Sequence, residues 1–144
     1  MSNNKVFYKK IYQDALVPEK HSAGAAAYDI HSYESTTIGP KEIKTIKTGL
    51  ELTIPMDCKA QIFSRSGLAA KYTIVTLGDH ISPGETKELT VTIENKGKDV
   101  FVIKKGERIA QLVLLSVYNG ILTEANELSE TERGEKGWGS TGIL

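Results

Sequence analysis

An alternation of apolar and polar residues with a period of two, punctuated by turn-forming clusters, limits this chain more than any other feature. Leu50, Leu52 and Ile54 alternate with Glu51 and Thr53, and Leu89, Val91 and Ile93 alternate with Thr90, Thr92 and Glu94. Successive side chains of a strand point to opposite faces, so both segments predict strands with one buried face. Ile109 to Val117 is more evenly apolar and predicts a strand buried on both faces. Turn signals separate these runs: Gly39-Pro40, Thr48-Gly49, Pro55-Met56-Asp57, Ser82-Pro83-Gly84, Asn95-Lys96-Gly97 and Lys104-Lys105-Gly106. Many short strands at roughly even spacing predict an all-β sandwich, jelly roll or barrel. Only Ser66 to Lys71 has the look of a helical turn.

The 144 residues suit one domain with one core. Residues 1–126 are expected to form it. Residues 127–144 are charged, then glycine-rich, with little to bury except Trp138, and are expected to form a flexible C-terminal arm.

Lysine plus arginine equals aspartate plus glutamate, 18 of each. Zero net charge gives no support for bulk electrostatic binding to nucleic acid or membrane. Any anionic ligand must be held locally, by a few placed cations and backbone N–H groups. Cys58 is the single cysteine, so an internal disulfide is excluded and a reducing, cytoplasmic or nuclear setting is expected. Cys58 is read as sitting in a turn after Pro55-Met56-Asp57 and not as a nucleophile. The N-terminal residues lack the apolar stretch of a signal peptide, and the longest apolar run, from Leu112, is too short to span a bilayer.

Four segments carry candidate chemistry. Ser64-Arg65-Ser66-Gly67-Leu68-Ala69 joins a strand to a short helix, where N–H groups, a hydroxyl and a guanidinium can make an anion site. An N-cap serine beside a surface arginine is the plainer reading. Gly134 to Gly142 can wrap phosphates with its backbone amides. It is superficially similar to a P-loop, but no lysine follows its last glycine and no helix follows at all. Trp138 among those glycines can stack on a base. Gly106-Glu107-Arg108-Ile109-Ala110-Gln111-Leu112 puts three polar residues at the entrance of the most apolar strand, where a salt-bridged strand start is the plainer reading. Asp29, after a run of small residues, suits either a metal-bound water or a turn cap. His21 and His31 have no partner at metal-ligand spacing and read as surface residues.

Together, in order and at these separations, the segments resemble the signature of the trimeric dUTPase family. Ala25-Ala26-Ala27-Tyr28-Asp29-Ile30-His31-Ser32 is similar to its first motif, and Arg65-Ser66-Gly67-Leu68-Ala69 to its second. Gly106 to Leu112 is similar to the fourth and Arg133 to Gly142 to the fifth. The resemblance implies a jelly-roll homotrimer with three shared sites. One subunit would supply the first, second and fourth motifs, a neighbour the third, and the tail of the last subunit would close the pocket. The implied reaction is hydrolysis of dUTP to dUMP and pyrophosphate with magnesium. Asp29 would help hold Mg2+ through water. Arg65, Ser66, Gly67 and Gln111 would bind the phosphate chain. Arg133 would grip the terminal phosphate with Ser140, Thr141 and the Gly139 backbone, and Trp138 would cover the base where the family usually has phenylalanine. Lys136 stands where the family prefers glycine.

The third motif departs from the family. Gap-free placement between Arg65-Ser66-Gly67 and Asn95-Lys96-Gly97 puts Ser82 at the catalytic aspartate, Glu85 at the tyrosine beneath the deoxyribose and Lys87 at a glycine. A hydroxyl is a poor base near neutral pH, and losing a general base costs about 10²–10⁴ in rate. Two residues are candidate substitutes: His80, on the same strand face as Ser82, and Asp79, which points the other way unless the hairpin shifts register by one. Ile81-Ser82-Pro83-Gly84 also resembles a turn of the related dCTP deaminases, but Thr92 falls where those enzymes need a glutamate, so deamination is not expected. Three readings stay open: a dUTPase with weak or lost activity, an inactive module binding a nucleotide or a protein partner, and a hydrolase of another triphosphate.

Overall fold

The computed structural model describes residues 5–20, 22 and 24–128. Its strands are β1 (Phe7–Lys10), β2 (Glu19–Lys20), β3 (Ala27–His31), β4 (Thr36–Ile38), β5 (Ile43–Thr53), β6 (Cys58–Phe63), β7 (Ile74–Thr76), β8 (His80–Ile81), β9 (Thr86–Asn95), β10 (Phe101–Ile103) and β11 (Arg108–Ser116). One helix among the described residues, α1 (Ser66–Tyr72), interrupts them after β6. The all-β expectation holds. One sheet has the order β1-β5-β9-β7, a second β2-β3-β11-β6-β8, and β10 pairs with β4 apart from both.

Strand parity explains the core. Ile46, Leu50, Leu52 and Ile54 share it with Leu89, Val91 and Ile93 of the first sheet, and with Ile30, Ile62 and Leu112 of the second. Each such side chain, once fully buried, contributes about 1.5–3 kcal/mol. The intervening polar residues face outward, and two cross-strand threonine pairs tie them together, Thr45 with Thr92 at 3.2 Å and Thr53 with Thr86 at 2.9 Å.

Three expectations are corrected. Thr48-Gly49 is not a turn between strands. It lies inside β5, where the pairing with β9 shifts register between Lys47 and Leu50. Gly49 takes φ +79°, and Thr48 donates its hydroxyl to the Leu89 carbonyl at 2.6 Å. The same glycine and polar residue that make a turn also make a β-bulge when both flanking runs stay on one partner strand. Cys58 opens β6 instead of sitting in the turn, and burial raises its thiol pKa, which disfavours a nucleophilic role. β11 is buried on one face only. Ile109, Ala110 and Leu112 are buried, whereas Leu115 is 40 % and, on the neighbouring β6, Phe63 46 % exposed. Among the described residues nothing covers Phe63 and Leu115 on the outer face of the second sheet.

The arm expected from residue 127 begins two residues before the description ends. Leu128, within it, and Leu122, before it, are almost fully and fully exposed. Among the described residues no helix is long and apolar enough to cross a membrane.

Candidate functional site

The site begins with register. β11 lies between β3 and β6, and Gln111 sits opposite both Asp29 and Phe63. Residues in one cross-strand row share a sheet face, so the Asp29 carboxylate and the Gln111 amide emerge side by side. β6 then runs into Ser64, which accepts the Thr76 N–H at 2.9 Å and so anchors the exit to β7. The backbone turns at Arg65, extended at φ −78° and ψ 125°, and α1 starts at Ser66. Asp29, Arg65, Ser66, Gly67, Arg108 and Gln111 thereby line a cleft of about 200 Å³.

Two guanidinium groups and one carboxylate set its electrostatics. Arg108 Nη1 lies 3.5 Å from Asp29 Oδ2, and Arg65 Nη1 donates to the Arg108 carbonyl at 3.2 Å. Asp29 is 9 % exposed and sits mid-strand, so the turn-cap reading is withdrawn. The N-cap is Arg65, with no side-chain cap and no acidic residue in the first turn, so Ser66 is not the capping serine of the plainer reading. The N–H groups of Ser66 and Gly67 belong to the set that a first helical turn leaves without an intrahelical acceptor. A Cβ on Gly67 would meet nothing within 4 Å, so packing within the chain does not demand glycine there. Hydroxyl, amide, guanidinium and backbone donors around one carboxylate suit a phosphate chain. Among the described residues no group of three or more His, Cys, Asp or Glu could hold a metal ion. One nearly buried carboxylate beside phosphate-binding donors does fit Mg2+, which is commonly held by one or two carboxylates plus substrate phosphates and keeps several waters.

The segment at the third motif is elsewhere. Ile81 is buried, His80 exposed and Ser82 half-buried, so His80 and Ser82 share the face opposite Ile81. Pro83 and Gly84, the latter at φ +79°, make the turn into β9, and Glu85 N–H donates to the Ser82 carbonyl at 3.1 Å. The Glu85 carboxylate folds back over this turn and accepts the Ser82 N–H at 2.8 Å. Asp79 is also engaged: its carboxylate accepts both the backbone N–H and the hydroxyl of Thr92. His80 sits opposite Gln61 and Ile81 opposite Ala60, which puts Ser82 level with Lys59 and Leu115. Four residues along β11 and two strands across separate that level from Gln111, roughly 13 Å by 10 Å. One chain therefore does not bring Ser82, His80 and Glu85 to the cleft of Asp29, Ser66 and Gln111.

Arg133, Lys136, Trp138, Gly139, Ser140 and Thr141 lie outside the described residues, as does His21. His31 is not a surface residue as expected: it is half-buried, its Nδ1 is buried without a hydrogen-bond partner, and Arg108 lies opposite it. Arg108 is the residue the sequence reading passed over as a salt-bridged strand start. It is an ion-pairing residue, but its partner is Asp29 of β3, 79 positions away, which no local pattern reveals.

Comparison with known proteins agrees with this geometry. The dUTPase family profile matches residues 13–142. A deoxyuridine 5′-triphosphate nucleotidohydrolase of Antonospora locustae is 52 % identical over 135 residues, covering 94 % of each chain. The protein of the same name from Encephalitozoon cuniculi is 41 % identical, covering 99 % of each. Among solved structures, the Staphylococcus bacteriophage 80alpha dUTPase with dUPNHPP superposes with a TM-score of 0.79 at 30 % identity, over 98 % of this chain and 100 % of that one. Family profile, relatives and fold agree over nearly the whole length, and this chain belongs to the dUTPase family.

Proposed function

We propose that this protein binds dUTP with Mg2+ at three sites shared between the subunits of a homotrimer, and hydrolyses it slowly to dUMP and pyrophosphate. The observation that carries the proposal is the pairing of a cleft lined by Asp29, Arg65, Ser66, Gly67 and Gln111 with a hairpin that has Ser82 where the resemblance calls for an aspartate. Ser66, Gly67, Gln111 and Arg65 hold the phosphate chain, and Asp29 orients the waters of the magnesium ion. That ion, when bound, neutralises phosphate charge and polarises the bond being broken. Arg133, with Ser140, Thr141 and Gly139, grips the terminal phosphate from the arm of residues 127–144, and Trp138 covers the base.

The separation of Ser82 from the cleft supports the shared site, because a second subunit must bring its hairpin to the first. The exposed apolar face of β6 and β11 gives that subunit something to cover. Ser82 can hold the attacking water but cannot take its proton near neutral pH. Asp79 accepts from Thr92 and Glu85 from the Ser82 N–H, and His80, which shares the face of Ser82, is the candidate base. A single thiol and balanced charge fit a cytoplasmic or nuclear location.

A second reading, an inactive module that holds a nucleotide or a protein partner, is favoured by the Glu85 clasp, which puts a carboxylate where a sugar would lie. Calorimetric titration of dUTP, dCTP, dTTP and UTP, followed by pyrophosphate release from each with and without Mg2+, separates the readings. The proposal expects dUTP to bind tightest and to be cleaved slowly, with magnesium required. Binding without any cleavage supports the module, and tighter binding of another triphosphate supports a changed substrate.

A further inference from the structure

A pocket of about 450 Å³ opens between the C-terminal end of α1 and the segment joining β9 to β10, lined by Lys41, Lys71, Lys96 and Lys98. Asp99 is its one carboxylate, so this corner of a chain with zero net charge has a local excess of three positive charges. The loop that carries them is built around a buried side chain. Asn95 is 1 % exposed, donates through Nδ2 to the Ile38 and Asp99 carbonyls at 2.9 and 2.8 Å, and accepts the Gly97 N–H at 3.0 Å. Lys96 N–H reaches the Thr73 carbonyl at 3.0 Å, which ties the loop to the end of α1. A Cβ on Gly97 would come within 3.2 Å of the Tyr72 carbonyl, so the backbones meet there as closely as they can.

Lys41 closes the pocket from the other side at a cost. Its backbone is left-handed, φ +66°, a conformation that costs a non-glycine residue about 1–3 kcal/mol and persists where surroundings enforce it. Its N–H donates to the Asn95 carbonyl at 2.7 Å and its ammonium to the Lys96 carbonyl at 2.8 Å. Among the described residues none of the four ammonium groups forms an ion pair with a carboxylate. Tyr72 and Phe101, with ring centroids 5.6 Å apart, supply an apolar wall, and Lys71 Nζ lies 5.4 Å from the Tyr72 ring centre.

We propose that this lysine pocket is a second anion site, which takes a chain of phosphate groups. Four like charges brought to one pocket from α1, the β9–β10 loop and the turn before β5 repel one another, and a multivalent anion relieves that repulsion where a single chloride does not. The pocket shares no lining residue with the Asp29 cleft, and α1 lies between them, Ser66 at one end and Tyr72 at the other. The site stands whether or not dUTP is turned over. The phosphate chain is either inorganic or that of a nucleotide whose base rests on Tyr72 and Phe101.

Lysine acetylation footprinting of the full chain by mass spectrometry, without divalent metal and at constant ionic strength, tests this. Tripolyphosphate is expected to protect Lys41, Lys71, Lys96 and Lys98 while Lys9 and Lys47 react as before. The double variant Lys96→Gln/Lys98→Gln should raise the half-protecting concentration by more than about tenfold, as loss of charge-assisted contacts requires. Its melting temperature should stay close to that of the wild type. Earlier protection by a deoxynucleoside triphosphate than by tripolyphosphate assigns the nucleotide source, and equal protection the inorganic one. Uniform protection of all lysines, equal protection by sulfate, or an unchanged midpoint in the double variant would overturn the proposal. Protection by a single-stranded oligonucleotide at lower concentration than tripolyphosphate would overturn it in favour of nucleic acid.

Discussion

At the level of single residues, the proposed function turns on Ser82 and its neighbours. Ser82→Asp is expected to raise dUTP turnover, up to the about 10²–10⁴ that a general base supplies. Adding Glu85→Tyr removes the carboxylate at the position that the resemblance assigns to a tyrosine beneath the sugar and is expected to raise the rate further, although it also deprives the Ser82 N–H of its acceptor. His80→Ala should lower the residual wild-type rate if the imidazole takes the proton, and steady-state pyrophosphate release reads both directions. Arg133→Ala is expected to weaken triphosphate binding by about 1.5–3 kcal/mol, the range for a hydrogen bond to a charged group, as measured by calorimetry. Much of this was legible in the sequence, because side-chain parity on a strand put His80 and Ser82 on one face before any coordinates did. What was not legible is the use made of Asp79 and Glu85. Each carboxylate is consumed by a backbone N–H, of Thr92 and of Ser82, and such caps depend on how a hairpin folds back on itself.

Individual elements show where a turn signal misleads. Gly49 reads as a turn glycine, yet it is the bulge of β5, and a Cβ there would lie 2.9 Å from Ala15 Cβ and 3.1 Å from the Tyr33 ring. Gly49→Ala combines a left-handed backbone with that clash and should cost about 1–3 kcal/mol, read as a lower midpoint in urea unfolding. The segment that packs here is held by charge as well. Asp14 accepts from Lys105 Nζ at 2.8 Å and from the Tyr33 hydroxyl at 2.7 Å, while Tyr33 stacks on Tyr12 at 4.5 Å. The Lys105 contact first, then that of Tyr33, lowers the Asp14 pKa to about 2. A carboxylate with a depressed folded-state pKa stabilises above its unfolded pKa and loses that contribution as pH falls through the folded value. The contribution is therefore complete above about pH 4 and gone below about pH 2. Lys105→Met should return Asp14 toward the ordinary carboxylate range, as followed by NMR titration of its side-chain carbon. The strands themselves were readable from their period. The bulge was not, because bulge and turn use the same two residues and differ only in which strand the chain pairs with next.

Over the whole molecule, the two parts of the proposed site lie far apart within one chain. Its phosphate cleft lies at one end of the outer sheet face and its Ser82 hairpin at the other, and Phe63 and Leu115 are exposed on that face. The evenly apolar run from Ile109 to Val117 was read as buried on both sides. Within one subunit only half of that is true, and the proposed trimer would use the other half. Leu115→Glu is expected to shift the assembly from trimer toward monomer in light scattering and to weaken nucleotide binding in parallel. A stable wild-type monomer at micromolar concentration would remove shared sites from the account. The most direct test of the central claim is pyrophosphate release at saturating dUTP and Mg2+ by the wild type and by Ser82→Asp, each normalised to calorimetrically measured binding sites. The account predicts full binding by both, with wild-type turnover well below the roughly 1–10 per second of ordinary enzymes and faster release by the variant. A wild-type rate within that range, left unchanged or lowered by Ser82→Asp, would contradict it and place the base elsewhere.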